Sequence, residues 1–422
     1  MAPESTSPPA AVVVVGTELT SGLRPDTNGP EIARALESAG YDVRSVTALP
    51  DDIQAIAEFL GRALPAHRLV IVTGGLGPTH DDVTREAAAA ALGRPVALDE
   101  AIADSLAPVI ARHGSPHATG RVLRQAEVIE GARVLMPTVG TAPGQVLEHP
   151  HGTLALLPGP PHEMRPMLAS LLSDLTAHAA PRILRTAGRP ESDIQFLADG
   201  ALAGAQGVAF TILASPGLVD VVLRDSGAGE SGLDAVARSV ASALGGACYS
   251  TNGSTLAGVV VSEAARRGLR LGTAESCTGG LVAAALTDVP GSSTVFAGGV
   301  IAYADAVKTA TLGVPPATMS AHGAVSAETA IAMATGARTR LRADIVVATT
   351  GIAGPTGGGP GKPVGTVFFG VATPKGTRAI ARTLAGDRAG VRTSATVAAL
   401  GLFWDAILAV PGSGDEPPCA PS

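Results

Sequence analysis

Ala11-Val12-Val13-Val14-Val15-Gly16 is a short all-apolar run stopped by a glycine, and it decides how the chain is read. Runs of this length with no polar alternation are typical of strands buried on both faces. The pattern returns where Leu69–Thr73 meets Gly74-Gly75 and where Leu154–Leu157 meets Pro158-Gly159. Between the first two, Ile32, Ala35, Leu36 and Ala39 recur at helical spacing, and Gly40 stops the helix. Strand, glycine turn, helix, strand predicts an α/β domain on a parallel sheet, whose ligands sit at the carboxyl ends of the strands.

The last third repeats this grammar. A strand over Leu269–Glu275 turns at Ser276–Gly280 into a helix from Leu281. Val295–Ala302, Asp344–Thr350 and Thr366–Ala372 read as strands, and Leu256–Arg267, Ala327–Arg340 and Val391–Leu408 as helices. Between the two α/β regions, Pro181–Gly188 and Leu218–Asp225 read as strands and Gly232–Leu244 as an amphipathic helix. The expected division is residues 10–178, a small α+β middle domain over 179–252, and residues 253–410. The tail from Pro411 is rich in Pro, Gly and Ser and reads as disordered.

Bulk numbers limit the function classes. A chain of 422 residues suggests about two to four domains. With 46% hydrophobic and only 3% aromatic residues, its cores must be Ala, Val and Leu packing. A net charge of −7 gives no general attraction for nucleic acid or an acidic membrane, so neither is an expected partner. Cys248, Cys277 and Cys419 are far apart and odd in number, which fits a reducing compartment rather than a disulfide framework or zinc site. The N-terminus lacks a signal-peptide pattern, and no apolar stretch reaches the roughly 18 residues of a bilayer span. The expectation is a cytoplasmic protein.

Three features carry chemistry. The turn Glu275-Ser276-Cys277-Thr278-Gly279-Gly280 puts a hydroxyl at a helix N-terminus, where free N–H groups stabilise developing negative charge. A nucleophile with an oxyanion hole is one reading. A helix-capping Ser or Thr is the commoner one. Tyr303 and Lys308 follow the next strand, and a buried lysine of depressed pKa can take a serine proton, although the sequence alone favours a surface lysine and a strand-end tyrosine. The long loop from Gly351 through Gly354 to Pro363 could cradle phosphate, but Pro363 after Lys362 and Thr356 at the first glycine position exclude a P-loop. In the first domain, Gly74, Gly75 and Gly77 lead through Thr79 and His80 to the adjacent carboxylates Asp81 and Asp82. Hard oxygen ligands at a phosphate-sized turn suggest Mg²⁺ and a diphosphate. The alternative is an N-cap pair for the following helix. Glu18, Asn28, Thr141 and Glu163 add polar groups on further turns of the same sheet.

The ordered motifs Val15-Gly-Thr-Glu-Leu, Thr73-Gly-Gly-Leu-Gly-Pro-Thr, Val139-Gly-Thr-Ala-Pro-Gly, Ala274-Glu-Ser-Cys-Thr-Gly-Gly, Gly291-Ser-Ser, His322-Gly-Ala-Val-Ser and Thr350-Gly-Ile-Ala-Gly-Pro resemble the competence/damage-inducible CinA family over nearly the whole chain. The resemblance implies a three-layer α/β/α N-terminal domain of molybdopterin-binding type and a C-terminal nicotinamide-nucleotide amidohydrolase domain. It implies deamidation of nicotinamide mononucleotide without a cofactor, with Ser276 as nucleophile and Tyr303 and Lys308 assisting. Thr278, Gly279, Gly280, Ser292, Ser293, Gly351, Gly354, Arg388 and Arg392 would then contact substrate. For the N-terminal domain it implies cleavage of ADP-ribose with a divalent metal on Asp81 and Asp82. There Glu18, Asn28, Gly74, Gly75, Gly77, Thr79 and Thr141 would bind substrate, and His80 stands where the family often has lysine. The expected partners are these two nucleotides and a second copy of the chain in a dimer. A non-enzymatic pterin binder, or a partner of recombination proteins, is the competing reading.

Overall fold

The computed structural model describes residues 7–113, 120, 122–175 and 179–410. Cys419 and the predicted disordered tail lie outside them, as does the His178 boundary. The chain divides into two compact units, Met1–Pro181 with Arg224–Glu230, and Arg182–Leu223 with Ser231–Ser422.

In the first unit β1 (Pro9–Val15) leads through the short α1 (Thr17–Thr20) to α2 (Asn28–Ser38), β2 (Asp42–Leu49), α3 (Ile53–Ala66), β3 (Leu69–Thr73) and α4 (Thr84–Leu92). A ribbon of β4 (Val96–Leu98) and β5 (Glu127–Ile129) flanks α5 (Glu100–His113). β6 (Arg133–Leu135), β7 (Gly144–His149), β8 (Gly152–Leu157) and α6 (Pro161–Asp174) complete it. The six-stranded order is β2-β1-β3-β8-β7-β6. The first four strands are parallel, and β7 and β6 run antiparallel, so the expected parallel sheet is a mixed one. The tight β7–β8 hairpin forces that reversal, because a parallel neighbour needs a long crossover.

The all-apolar strands are explained by the layers. Along β1, Ala11, Val13 and Val15 pack with Ile56 and Leu60 of α3 and Ala88 of α4. Ala10 and Val12 face Ile32 and Leu36 of α2 and Met164 and Leu168 of α6. Both faces are covered, so both residue sets must be apolar.

The second unit opens with β9 (Arg182–Ala187), α7 (Glu191–Leu202), β10 (Val208–Ser215), β11 (Leu218–Asp225), α8 (Gly229–Leu244) and β12 (Cys248–Ser250), in sheet order β10-β11-β9-β12. One face carries α7 and α8 over Leu184, Val221 and Leu223. From the other face Ala187, Leu218 and Tyr249 join the core of the domain that follows. That domain contains α9 (Leu256–Arg266), β13 (Leu271–Glu275), α10 (Leu281–Thr287), β14 (Phe296–Ile301), α11 (Asp305–Leu312), α12 (Pro316–His322), α13 (Ala327–Leu341), β15 (Ile345–Gly351), β16 (Thr366–Thr373), β17 (Gly376–Thr383) and α14 (Arg388–Leu408). Its sheet runs β14-β13-β15-β16-β17, with the first three parallel and the last two antiparallel. Val347 and Phe369 face α9 and α14, while Ala348 and Ala372 face α13.

Helix α14 departs from the sequence expectation. By length and composition alone it could cross a membrane. Here 61% of that apolar window is buried, with Ala395, Phe403 and Ile407 in the core, so its hydrophobicity is spent on the sheet.

Candidate functional site

The carboxyl edge of β14-β13-β15 gathers the predicted catalytic residues. β13 ends at Glu275, opposite Ile301 of β14 and Thr349 of β15. The Ser276 N–H still donates to Thr349 O at 2.9 Å, then the chain turns through Gly279 and Gly280, whose φ values of 62° and 98° suit glycine. Ser276 is 8% exposed, and its hydroxyl has no hydrogen-bond partner among the described residues.

The capping alternative for Ser276 fails, because a neighbour does that work. Glu275, 1% exposed, accepts the N–H groups of Gly280 at 2.8 Å, Val282 at 3.1 Å and Ala283 at 2.8 Å. A carboxylate from the preceding strand therefore satisfies the first turn of α10. The oxyanion hole expected from Thr278–Gly280 is reduced by the same bonds. Gly280 N–H is held by Glu275, and Gly279 N–H donates to Ser276 O at 3.1 Å. Cys277 is buried, which pushes its thiol up to about 11. At neutral pH it is a thiol packed in the core, not a thiolate nucleophile.

Tyr303 and Lys308 lie just beyond β14. Lys308 lies on helix α11 and is not a surface lysine. Lys308 is 2% exposed and its Nζ donates to Tyr303 O at 3.2 Å and Asp305 Oδ1 at 3.1 Å. Two bonds leave the third position of the amine open. Tyr303 is 59% exposed, and its phenol oxygen accepts from Arg388 Nη2 at 2.8 Å. Arg388 Nη1 also donates to Gly354 O at 2.7 Å, while Arg392 donates to Cys277 O at 3.2 Å and Thr278 O at 3.0 Å. Arg388 and Arg392, one turn apart on α14, thus tie together the segments after β13, β14 and β15. Each guanidinium has five N–H donors and spends two, so both keep donors for an anion. The loop after Gly351 is closed from behind by Lys362, whose Nζ donates to His322 O at 3.1 Å and Val325 O at 2.6 Å.

Ser292 and Ser293 are a correction. They form a turn before β14, at the amino edge of the sheet, and Leu271 at the start of β13 bonds to Val295 O beside them. Ser276 and Tyr303 lie at the opposite edge, a strand length away, so one chain does not bring these serines to Ser276.

In the first unit Glu18, Asn28, Gly74, Gly75, Asp81 and Asp82 line one cavity of about 490 Å³ at the carboxyl edge of β1 and β3. Gly77, Thr79 and Thr141 are not in its wall. Gly74 has a φ of 102°, and a Cβ there would lie 2.3 Å from Val15 O, so only glycine fits. Asn28 donates to Thr73 Oγ1 and Gly159 O, and its buried Oδ1 has no partner among the described residues. Asp81 and Asp82 do not cap α4, whose N-cap is Val83 without a side-chain bond. Instead Thr79 donates through its hydroxyl and N–H to Asp82 Oδ2, and its hydroxyl also lies 2.5 Å from Asp81 Oδ1. The Thr79 bond holds Asp81 below the usual carboxylate range. His80 is exposed, 3.8 Å from Asp81.

Sequence reasoning missed three residues. Glu275 was legible only as the residue before the serine. Arg124 donates to Thr79 O at 2.8 Å, Asp82 O at 3.2 Å and Glu86 Oε1 at 2.6 Å, fixing the carboxylate turn from 42 to 45 residues away. Arg85 is buried 3.7 Å from Glu127, and an arginine on an Ala-rich helix face was its only signal.

Among known proteins, residues 253–407 match the family model described as CinA C-terminal domain, and residues 11–178 the one described as probable molybdopterin binding domain. A CinA-like protein of Solibacter usitatus is 39% identical, with 93% of this chain and 97% of that protein covered. A CinA-like protein of Fervidobacterium nodosum is 36% identical over 96% of this chain and 99% of that protein. A crystal structure of the competence/damage inducible protein CihA from Agrobacterium tumefaciens shares 40% identity over 36% of this chain and 92% of that one, with a TM-score of 0.35. Identity at this level, sustained end to end across both domains, means that the chain belongs to the CinA family.

Proposed function

We propose that the C-terminal domain hydrolyses the carboxamide of nicotinamide mononucleotide, with Ser276 as nucleophile. The observation that carries this reading is a serine, 8% exposed, whose hydroxyl is bonded to no side chain or backbone group among the described residues, beside a helix start that Glu275 already caps. A hydroxyl relieved of capping at the carboxyl edge of a parallel sheet is available for chemistry. Ser276 Oγ bonds to the carboxamide carbon as its proton passes to Lys308. The position that Tyr303 O and Asp305 leave open on Nζ is the one that takes it. The proton then goes to the leaving nitrogen, the C–N bond breaks, and ammonia departs. Water cleaves the acyl-serine to nicotinate mononucleotide and restores the hydroxyl. The spare donors of Arg388 and Arg392 hold the substrate phosphate. The test is release of ammonia and nicotinate mononucleotide by the purified protein. Ser276→Ala should abolish it and Cys277→Ala should retain it. The reverse pattern would overturn the assignment.

The cavity beside Asp81 and Asp82 favours a second activity, metal-dependent cleavage of ADP-ribose. No group of three or more His, Cys, Asp or Glu side chains converges among the described residues. Two carboxylates on a turn suit Mg²⁺, which keeps several waters and takes further oxygens from substrate phosphates. The metal would neutralise the diphosphate. Thr79 and Arg124 hold the two carboxylates in place. AMP formed from ADP-ribose, and lost with chelator and in Asp81→Asn, is the expected result. Turnover unaffected by both would refute it.

A further inference from the structure

The second unit holds a cavity that neither proposed activity uses. It encloses about 670 Å³, between the turns Gly188-Arg189-Pro190 and Pro216-Gly217, the end of β17, and one stripe of α14. A volume in this range suits a ligand of mononucleotide size. Ser276, Tyr303, Lys308, Arg388 and Arg392 are all absent from its wall.

Its chemistry is specific. Arg189, Arg382 and Asp405 are the only charged residues of the lining, which gives one net positive charge in a chain of net charge −7. Neither guanidinium has a hydrogen-bond partner among the described residues. Asp405 acts on Arg382 only through its charge, and burial raises the Asp405 carboxyl above its usual range. Most of the remaining wall is apolar or glycine. Along α14, Gly390, Ser394, Ala398 and Gly401 recur at helical spacing and put small residues on this face. A Cβ built on Gly401 meets nothing within 4 Å, so the open space begins at the helix backbone. Glycine in the middle of a 21-residue helix costs about 1 kcal/mol relative to alanine. Here it leaves room.

We propose that this cavity is a second ligand site, which takes a nucleoside monophosphate with its phosphate on Arg189 and Arg382 and its ring against the glycine-lined face of α14. Two guanidiniums with unspent donors in one cavity wall suit a phosphate, and an apolar wall suits a ring. Phosphate alone would leave the apolar wall unused, and a nucleoside alone would leave both arginines unpaired.

The protein carries its own reporter, since its single tryptophan, Trp404, lines the cavity. Full-length protein is titrated with AMP, GMP, CMP and UMP while Trp404 fluorescence is followed, with adenosine and inorganic phosphate in separate arms. At least one monophosphate should give a saturable change at lower concentration than either fragment. Arg189→Ala and Arg382→Ala should each weaken it roughly 10- to 100-fold, the loss expected for a hydrogen bond to a charged group. Gly401→Leu, whose Cβ would meet nothing within 4 Å, should abolish the response, and Ser276→Ala should leave it intact. No response to any monophosphate up to millimolar concentration would overturn the proposal. So would an equal response to phosphate or adenosine alone, or a response that survives in folded Gly401→Leu protein. None of these readings depends on amidase activity.

Discussion

Replacing Glu275 by glutamine tests whether a strand residue holds the Ser276 turn. The carboxylate accepts three N–H groups, Gly280 and Val282 on Oε2 and Ala283 on Oε1. Glutamine keeps one acceptor oxygen. In its better orientation that oxygen stays with Gly280 and Val282, and the amide NH₂ faces the Ala283 N–H. One buried donor is then stranded, at about 1–3 kcal/mol. The two surviving bonds fall from the strength of charged partners to that of neutral ones, a loss of about 1 kcal/mol each. The expected destabilisation is therefore about 3–5 kcal/mol. Urea unfolding measures it, and hydrogen exchange places it, because the amides of 280–283 should exchange faster in Glu275→Gln. Ser276 directly follows in the chain, so kcat for amide hydrolysis should fall as the turn loosens. Glu275→Asp retains the charge but is one methylene shorter, and should recover part of both. A loss below about 1 kcal/mol with unchanged exchange at 280–283 would refute the reasoning, since it would mean that the three bonds add almost nothing.

Cys277 should resist iodoacetamide at pH 8 in the folded protein and react once urea exposes it. Its thiol is raised to about 11, so the reactive thiolate appears only as pH approaches that value; rapid labelling of native protein at pH 8, read by mass spectrometry, would contradict this. Arg392→Lys keeps the charge but cannot span Cys277 O and Thr278 O, and should raise KM for nicotinamide mononucleotide roughly tenfold through weaker phosphate contact. An unchanged KM would remove Arg392 from the substrate site. Arg124→Ala should reduce ADP-ribose cleavage and raise the Mg²⁺ concentration needed for half activity, because the Asp81–Asp82 turn loses the bonds to Thr79 O and Asp82 O. A purely structural role would lower stability without moving the metal requirement.

The strands buried on both faces were legible because burial leaves a long apolar signal. β1, β3 and β13 fall where runs such as Ala11–Val15 and Leu69–Thr73 predict them. Elements with one solvated side were not. β2 (Asp42–Leu49) and β17 (Gly376–Thr383) are edge strands with alternating exposure and charged residues, so their pattern resembles polar loop. α11 has only eight residues, too few for a periodic signal, although it carries Lys308. The mixed sheets were missed for a related reason. A strand motif does not encode its direction, which follows from connections such as the Thr373–Gly376 hairpin.

The site itself shows where order along the chain stops being a guide to space. Ser276 and Tyr303 come just after parallel strands and Gly351 ends one, so all three lie at one edge. Ser292 and Ser293 sit nearer to Ser276 in sequence than Tyr303 does, yet they precede a strand and emerge at the other. Sidedness in a parallel sheet is thus set by whether a residue precedes or follows its strand, and sequence separation carries no information about it. Arg388 and Arg392 add what the sheet cannot. The turns after β13, β14 and β15 are independent loops, and a sheet fixes only where each begins. Two arginines separated by one helical turn on a core helix reach Tyr303 and Gly354 from one position and Cys277 and Thr278 from the other. The spacing of the three loops is therefore set by the pitch of a buried helix, a rigid element, rather than by the loops themselves. That makes the first turn of α14 part of the site's geometry.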